Sequence, residues 1–258
     1  MRDIPVVYAF ARSGGTLVNQ LLGSHSRSLV LSEVNPAACC VPVLDQAVQW
    51  LGLIETHEQA DFAGYSYGRL LRLLQERAGD RGRTLVVRDW VSANFLPNCC
   101  GERAEPSGAL EQDLYLRHAG LEPRPIVIAR RAASILASIR ATFDHLASLS
   151  PETFLRAYGN YAQSVSVLPV VHLEELQSRP VETTVRLLEH CSLDTGEAES
   201  LQRTFHEFVN CTGNNTLQQQ RASSCARVVL REQGDAHHEN WPDLEEEFAA
   251  IDRMFGYA

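Results

Sequence analysis

Lysine is absent from this 258-residue chain, so all 23 basic residues are arginines. Schiff-base chemistry and the lysine of a Walker-type loop are therefore excluded, and any anion must be held by guanidinium groups and backbone amides. Positive charge is also scarce. The net charge is −9 and the run from Glu239 to Asp252 is strongly acidic, which leaves no basic face for nucleic acid. No apolar run approaches the roughly 18 residues of a membrane span, and no basic stretch leads into an apolar leader. A cytoplasmic protein without a membrane partner is expected. The seven cysteines include the vicinal pairs Cys39-Cys40 and Cys99-Cys100 but no CxxC spacing, so neither a zinc ribbon nor a disulfide framework is indicated.

What is present is an ordinary globular composition, 45% hydrophobic and 21% charged, at a length that suits one domain over residues 1–258. Short β-branched runs alternate with longer helical patterns, the mark of βαβ units. Strands are expected at Ile4–Phe10, Leu29–Ser32, Thr84–Val87, Pro125–Ala129 and Val170–Leu173. Helices are expected at Leu17–Leu22, Val41–Ile54, Tyr67–Ala78, Leu110–Ala119, Ala132–Leu146, Pro151–Val165, Val181–His190, Ala198–Val209 and Leu244–Phe255. The predicted fold is a three-layer α/β/α sandwich around a mainly parallel sheet of about five strands.

Ligands of such sheets bind beyond the carboxyl ends of the strands. The first strand ends there in Ala11-Arg12-Ser13-Gly14-Gly15-Thr16 and passes into a helix. This is a P-loop-like turn in which helix N–H groups meet a phosphate or sulfate. The glycines admit a close approach, Arg12 adds charge, and Ser13 and Thr16 add hydroxyl donors. The fourth strand ends in Arg130, with Ser138 eight positions further along, a pair that can converge on a second phosphate. Each half alone is also compatible with a tight turn or with solvated surface residues.

Together these residues resemble the sulfotransferases that use 3′-phosphoadenosine 5′-phosphosulfate (PAPS), in the form common to tyrosylprotein and many bacterial members. Arg12-Ser13-Gly14-Gly15-Thr16-Leu17 is similar to the family's 5′-phosphosulfate loop, and Arg130 through Ser138 is similar to its 3′-phosphate motif. His172-Leu173-Glu174-Glu175-Leu176 is similar to the Tyr-Glu-Asp-Leu segment, with His172 where an adenine-contacting tyrosine stands. The resemblance implies PAPS as the nucleotide, released as PAP, and the expected reaction is sulfuryl transfer to a hydroxyl or amine of a small-molecule acceptor. It implies Glu33, 21 positions after Arg12, as the general base, with Arg88 supporting the transferred group beside Arg12. Gly15 replaces the usual threonine, Arg88 replaces lysine, and the histidine base of the other branch has no counterpart. Asp89 is the substitute base, or otherwise an ion-pair partner for Arg88 or Arg12.

Sulfuryl transfer needs positioning and charge stabilisation more than covalent steps, so arginines and helix amides can serve without a metal. Two rivals are an ATP-dependent small-molecule phosphotransferase and a non-catalytic nucleotide-binding protein. Trp50, Tyr65 and Tyr67 are candidates for an acceptor pocket, His145 for the cleft, and Thr212–Asn215 with Arg221 for a cofactor lid. Each of these also reads as ordinary core or surface. His237-His238 and the vicinal cysteines could hold a metal only by tertiary convergence.

Overall fold

The structure, a computed structural model, describes residues 2–38, 41–99, 105–211 and 241–258. Five strands form one sheet, β1 (Arg2–Ala9), β2 (Ser28–Val34), β3 (Thr84–Asp89), β4 (Leu121–Ala129) and β5 (Val170–His172). Every pairing is parallel and the order is β2-β3-β1-β4-β5. The helices among the described residues are α1 (Gly15–Ser24), α2 (Val43–Gln49), α3 (Gln59–Phe62), α4 (Tyr67–Asp80), α5 (Ser92–Phe95), α6 (Glu111–His118), α7 (Ala132–Thr142), α8 (Pro151–Val165), α9 (Leu173–Ser178), α10 (Pro180–His190), α11 (Ala198–Thr204) and α12 (Glu245–Met254).

Period-two alternation divides the strands between two cores. Ile4, Val6 and Tyr8 of β1 face a cluster shared with α4, α8 and α12, whereas Val7 and Ala9 face one shared with α1, α10 and α11. This is the α/β/α layering that the alternation of patterns predicts. No helix among the described residues is long and apolar enough to cross a membrane.

Three departures from the sequence expectation have physical causes. The expected helix Val41–Ile54 is reduced to α2, because the chain turns at Gly52 with φ of 57°. Strand β4 begins at Leu121 rather than Pro125 and carries Pro123 and Pro125 inside the sheet. Prolines are tolerated only where no ladder donor is needed. Here β5 pairs with Val127–Ala129 alone, and Val127, of the same parity as the prolines, donates towards β5 through Pro169 O at 2.9 Å. The third departure is in β2. It contains a β-bulge, since Leu31 pairs with Val87 and Val34 with Asp89, so that Ser32 and Glu33 together oppose Arg88. Leu31 and Val34 consequently face the same core although they lie three residues apart.

Candidate active site

The turn after β1 is shaped by two residues with left-handed backbone. Arg12 has φ of 68° and Gly14 φ of 103°, and Ser13 N–H closes the turn on Phe10 O at 3.0 Å. Position 14 favours glycine for its left-handed backbone, and a Cβ there would also stand 2.6 Å from Leu173 Cδ1, which would have to move. Gly14 is also the N-cap of α1 and supplies no side-chain cap, leaving the first helical N–H groups open to an outside acceptor. A second donor is built in beside them. Ser13 is fully buried and its Oγ has no hydrogen-bond partner, a costly state for a hydroxyl unless a ligand completes it. Thr16 and Leu17 occupy the first turn of α1.

Arginines converge on this turn. Arg12 Nε donates to Ser138 Oγ at 3.0 Å, and Arg130 Nη1 donates to Arg12 O at 3.1 Å. The sequence pairing of Arg12 with the Arg130–Ser138 motif is therefore a spatial one. Although Arg12 keeps an exposed edge, desolvation and then the neighbouring Arg130 lower its pKa, opposed by Glu33. Desolvation likewise lowers that of Arg130, opposed by Glu174. Tyr158 OH donates to Arg130 O at 3.1 Å and fixes the strand end from below. Neither Arg12 nor Arg130 forms an ion pair with a carboxylate among the described residues. Two like charges side by side, an open helix terminus and an unpartnered hydroxyl form a site that fits an anion.

On the other side of β1, Arg88 Nη2 donates to Glu33 Oε1 at 2.6 Å and Nη1 to Ser32 Oγ at 3.4 Å. The pair is largely buried, with 7% of the Arg88 side chain and 17% of the Glu33 side chain exposed. Glu33 sits on the bulge with φ of 50°, and bulges of this kind re-aim side chains near functional sites. Arg88 lies against α1, since a Cβ at Gly15 would come within 2.8 Å of its Nε. The absence of a side chain at Gly15 thus leaves the space that the arginine occupies. Cys211, at the start of the segment expected as a lid, is buried within electrostatic reach of Arg88 and Glu33, and burial pushes its thiol up to about 11. The lid residues Thr212–Asn215 and Arg221, with His237-His238 and Cys39-Cys40, lie outside the described residues.

Asp89 is not an ion-pair partner of Arg88 or Arg12. It is fully buried, and its Oδ1 accepts from Asn35 Nδ2 at 2.9 Å. Desolvation holds its pKa well above the ordinary carboxyl range, and the Asn35 bond opposes this only in part. A carboxyl whose folded pKa lies above its unfolded value of about 3.9 stabilises the fold below that pH and loses the contribution as pH rises through the folded pKa. Asp89→Asn keeps an oxygen for the Asn35 bond and removes the titration. Its urea midpoint is therefore expected to exceed that of the wild type at pH 7.5, the gap closing by pH 4.5. Identical pH slopes in the two proteins would refute the assignment.

Several neighbours escaped the sequence reading. Asn35 Nδ2 also donates to Asn94 Oδ1 at 2.7 Å, and Ser92 Oγ accepts from Ala11 N–H at 2.7 Å. These three residues follow the ends of β2 and β3, the position that flags ligand-side residues in parallel sheets. His172 ends β5 as expected, but its ring is engaged by the C-terminal turn. Nε2 lies 2.7 Å from Phe255 O, and the ring stands 4.4 Å from that of Tyr257. Tyr257 also sits under Arg131 and donates to Glu174 Oε2 at 2.7 Å. Nothing local in the sequence joins residues 172 and 257. His145 is exposed beyond α7, and Trp50 lies outside the cleft that Tyr65 and Tyr67 line.

No family model and no curated protein sequence matches the chain. Solved structures do. The sulfotransferase domain from the curacin biosynthetic pathway matches over 100% of this chain and 99% of its own at 15% identity, with a TM-score of 0.60. The sulfotransferase domain from the Synechococcus PCC 7002 olefin synthase covers 100% and 97% respectively at 14% identity, with a TM-score of 0.52. Likeness at such identities is one of architecture, and this chain has the sulfotransferase fold.

Proposed function

We propose that the protein is a sulfotransferase moving a sulfuryl group from PAPS to a hydroxyl, or an amine, of a small-molecule acceptor. The observation that carries this reading is the convergence of Arg12, Arg130 and Ser138 beside the open N-terminus of α1, where a buried Ser13 hydroxyl lacks a partner. An ATP site needs cations at one phosphate chain only. Arg130 and Ser138, on the β4 side of this cluster, suit a nucleotide that also carries a 3′-phosphate.

PAPS brings an activated sulfuryl group and leaves as PAP. In this reading Ser13, Gly14, Gly15 and Thr16 hold the 5′-phosphosulfate through backbone and hydroxyl donors, and Leu17 packs behind them. Arg130 and Ser138 hold the 3′-phosphate, and His172 borders the adenine side through the C-terminal turn it anchors. Arg12 and Arg88 stabilise the charge that gathers on the transferred group and leaving oxygen, so that no metal ion is required. Glu33, aimed by the bulge and held against Arg88, accepts the acceptor's proton.

Calorimetric titration with PAP, ADP and ATP, with and without Mg²⁺, tests the reading. PAP is expected to bind more tightly than ADP without metal. Arg130→Ala is expected to weaken PAP by about tenfold to a hundredfold, the worth of a lost charge-assisted contact of about 1.5–3 kcal/mol, while leaving ADP unaffected. A preference for Mg·ATP that ignores the substitution would favour the phosphotransferase instead.

A further inference from the structure

Asn19 is 1% exposed, yet neither its Nδ2 nor its Oδ1 has a hydrogen-bond partner among the described residues. A buried amide in that state destabilises the fold, and an apolar side chain of the same branching would not. Its surroundings follow from helix geometry. Gly15 and Asn19 lie one turn apart on the buried face of α1, and a helical side chain leans towards the N-terminus, over the preceding turn. The Asn19 amide is therefore directed at the space beside Gly15. The Arg88 guanidinium fills that space, its Nε and Nη2 standing 2.8 and 2.9 Å from where a Cβ of Gly15 would be.

Arg88 is itself incompletely bound there. Nη2 serves Glu33 and Nη1 serves Ser32, the latter at 3.4 Å, but Nε has no partner. An unused donor and an unused acceptor thus lie together between α1 and β3. The stretch after α11 closes the side of this space. Its Phe208 covers Gly23 and accepts from Gln20 Nε2 at 3.4 Å, and it leads to the buried Cys211 beside Arg88 and Glu33. Of the other charged and titratable groups that act on Glu33, Arg12 is held by Ser138 and the Cys211 thiol is kept neutral by burial. Arg88 is the one with a donor to spare.

We infer that Asn19 is a positioning residue for sulfuryl transfer, a second seat that takes the Arg88 Nε–H when Glu33 gives up its charge. The inference rests on the sulfuryl-transfer reading and deepens it. In the step, the acceptor's oxygen or nitrogen forms a bond to sulfur. The bond from sulfur to the 5′-phosphate oxygen breaks, its electron pair leaving with PAP, and the acceptor's proton passes to the Glu33 carboxylate. Glu33 is then neutral, and its contact with Arg88 loses the assistance of opposite charge. The guanidinium is needed at that moment by the new negative charge on the leaving oxygen, while its N–H groups still require acceptors. An amide meets both demands. Asn19 Oδ1 accepts a hydrogen bond without cancelling the positive charge, as a carboxylate in its place would.

The test is a thermodynamic cycle on the full chain without nucleotide, read by urea denaturation at pH 7.5. Glu33→Gln stands for the protonated base, and Asn19→Leu removes the second seat. Asn19→Leu is expected to lower the folding equilibrium constant at least about tenfold more in the Glu33→Gln background than in the wild type, the worth of one hydrogen bond to a charged group. The steric effect of leucine is common to both backgrounds and cancels, and Asn19→Ala repeats the cycle with a side chain that cannot overpack. PAP affinity is expected to be equal in wild type and Asn19→Leu. Equal losses in the two backgrounds, as for an asparagine of purely structural effect, would overturn the inference while PAP binding stands. Failure of PAP to bind the wild type would instead remove the sulfuryl-transfer reading, and the positioning role with it.

Discussion

Glu33→Gln is expected to lower sulfuryl turnover by about two to four orders of magnitude, the usual worth of a positioned general base, with PAP affinity unchanged. The replacement retains an oxygen that can accept from Arg88 Nη2, so the geometry of the 2.6 Å contact is largely kept while the proton-accepting charge is lost. A second consequence follows from burial. Arg88, with 7% of its side chain exposed, loses its counter-charge, and uncompensated buried charges cost about 3–5 kcal/mol. A lower melting temperature should accompany the lost turnover, and PAP should restore part of it by mass action. Turnover that survives the substitution would remove Glu33 from the chemistry. Tight PAP binding with no turnover in either protein would favour the non-catalytic alternative.

Gly14→Ala is expected to destabilise the protein by about 2–5 kcal/mol, combining the left-handed backbone penalty of about 1–2 kcal/mol with overpacking of about 1–3 kcal/mol. The first part arises from φ of 103° and the second from Leu173 Cδ1, 2.6 Å from the new Cβ. The two parts are separable. Leu173→Ala in the Gly14→Ala background makes room for the methyl but leaves the backbone strained, so denaturant midpoints should show partial recovery beyond additivity. Purely additive losses would show that Leu173 does not press on the loop. PAP affinity should fall in Gly14→Ala and stay low in the double variant, because the turn that presents the α1 N–H groups is set by φ.

The layered architecture and the order of the elements were legible because period-two and helical patterns rarely mislead when they alternate along a chain. The short helix α9 was not, since Leu173–Ser178 runs on from β5 without a turn signal between them. Pro123 and Pro125 concealed the first half of β4, because only the register with β5 reveals that their missing N–H groups are never asked for. In the site, Arg12, Arg130 and Ser138 were legible as a motif, each standing near a strand end or in the first turns of a helix. The partnership of Glu33 with Arg88 was less so, for it depends on pairing across two strands. Asn35 and Asn94 share a hydrogen bond and Ser92 receives one from Ala11, and these chemically ordinary residues become neighbours of the site only when β2, β3 and β1 are laid side by side. Tyr257 reaches His172 across 85 positions, a convergence that no local pattern encodes.

The bulge in β2 has a consequence for how such chains are compared. Glu33 faces Arg88 because one surplus residue lies between Leu31 and Val34, so its direction is set by a count of residues. Removing either Ser32 or Glu33 would restore a regular ladder, whereas exchanging Ser32 for another small residue would leave the aim intact. Positional arithmetic through this strand therefore tolerates substitution but not a gap, and an alignment that slides by one place between residues 31 and 34 would move the proposed proton acceptor onto Ser32 or onto Val34 of the core.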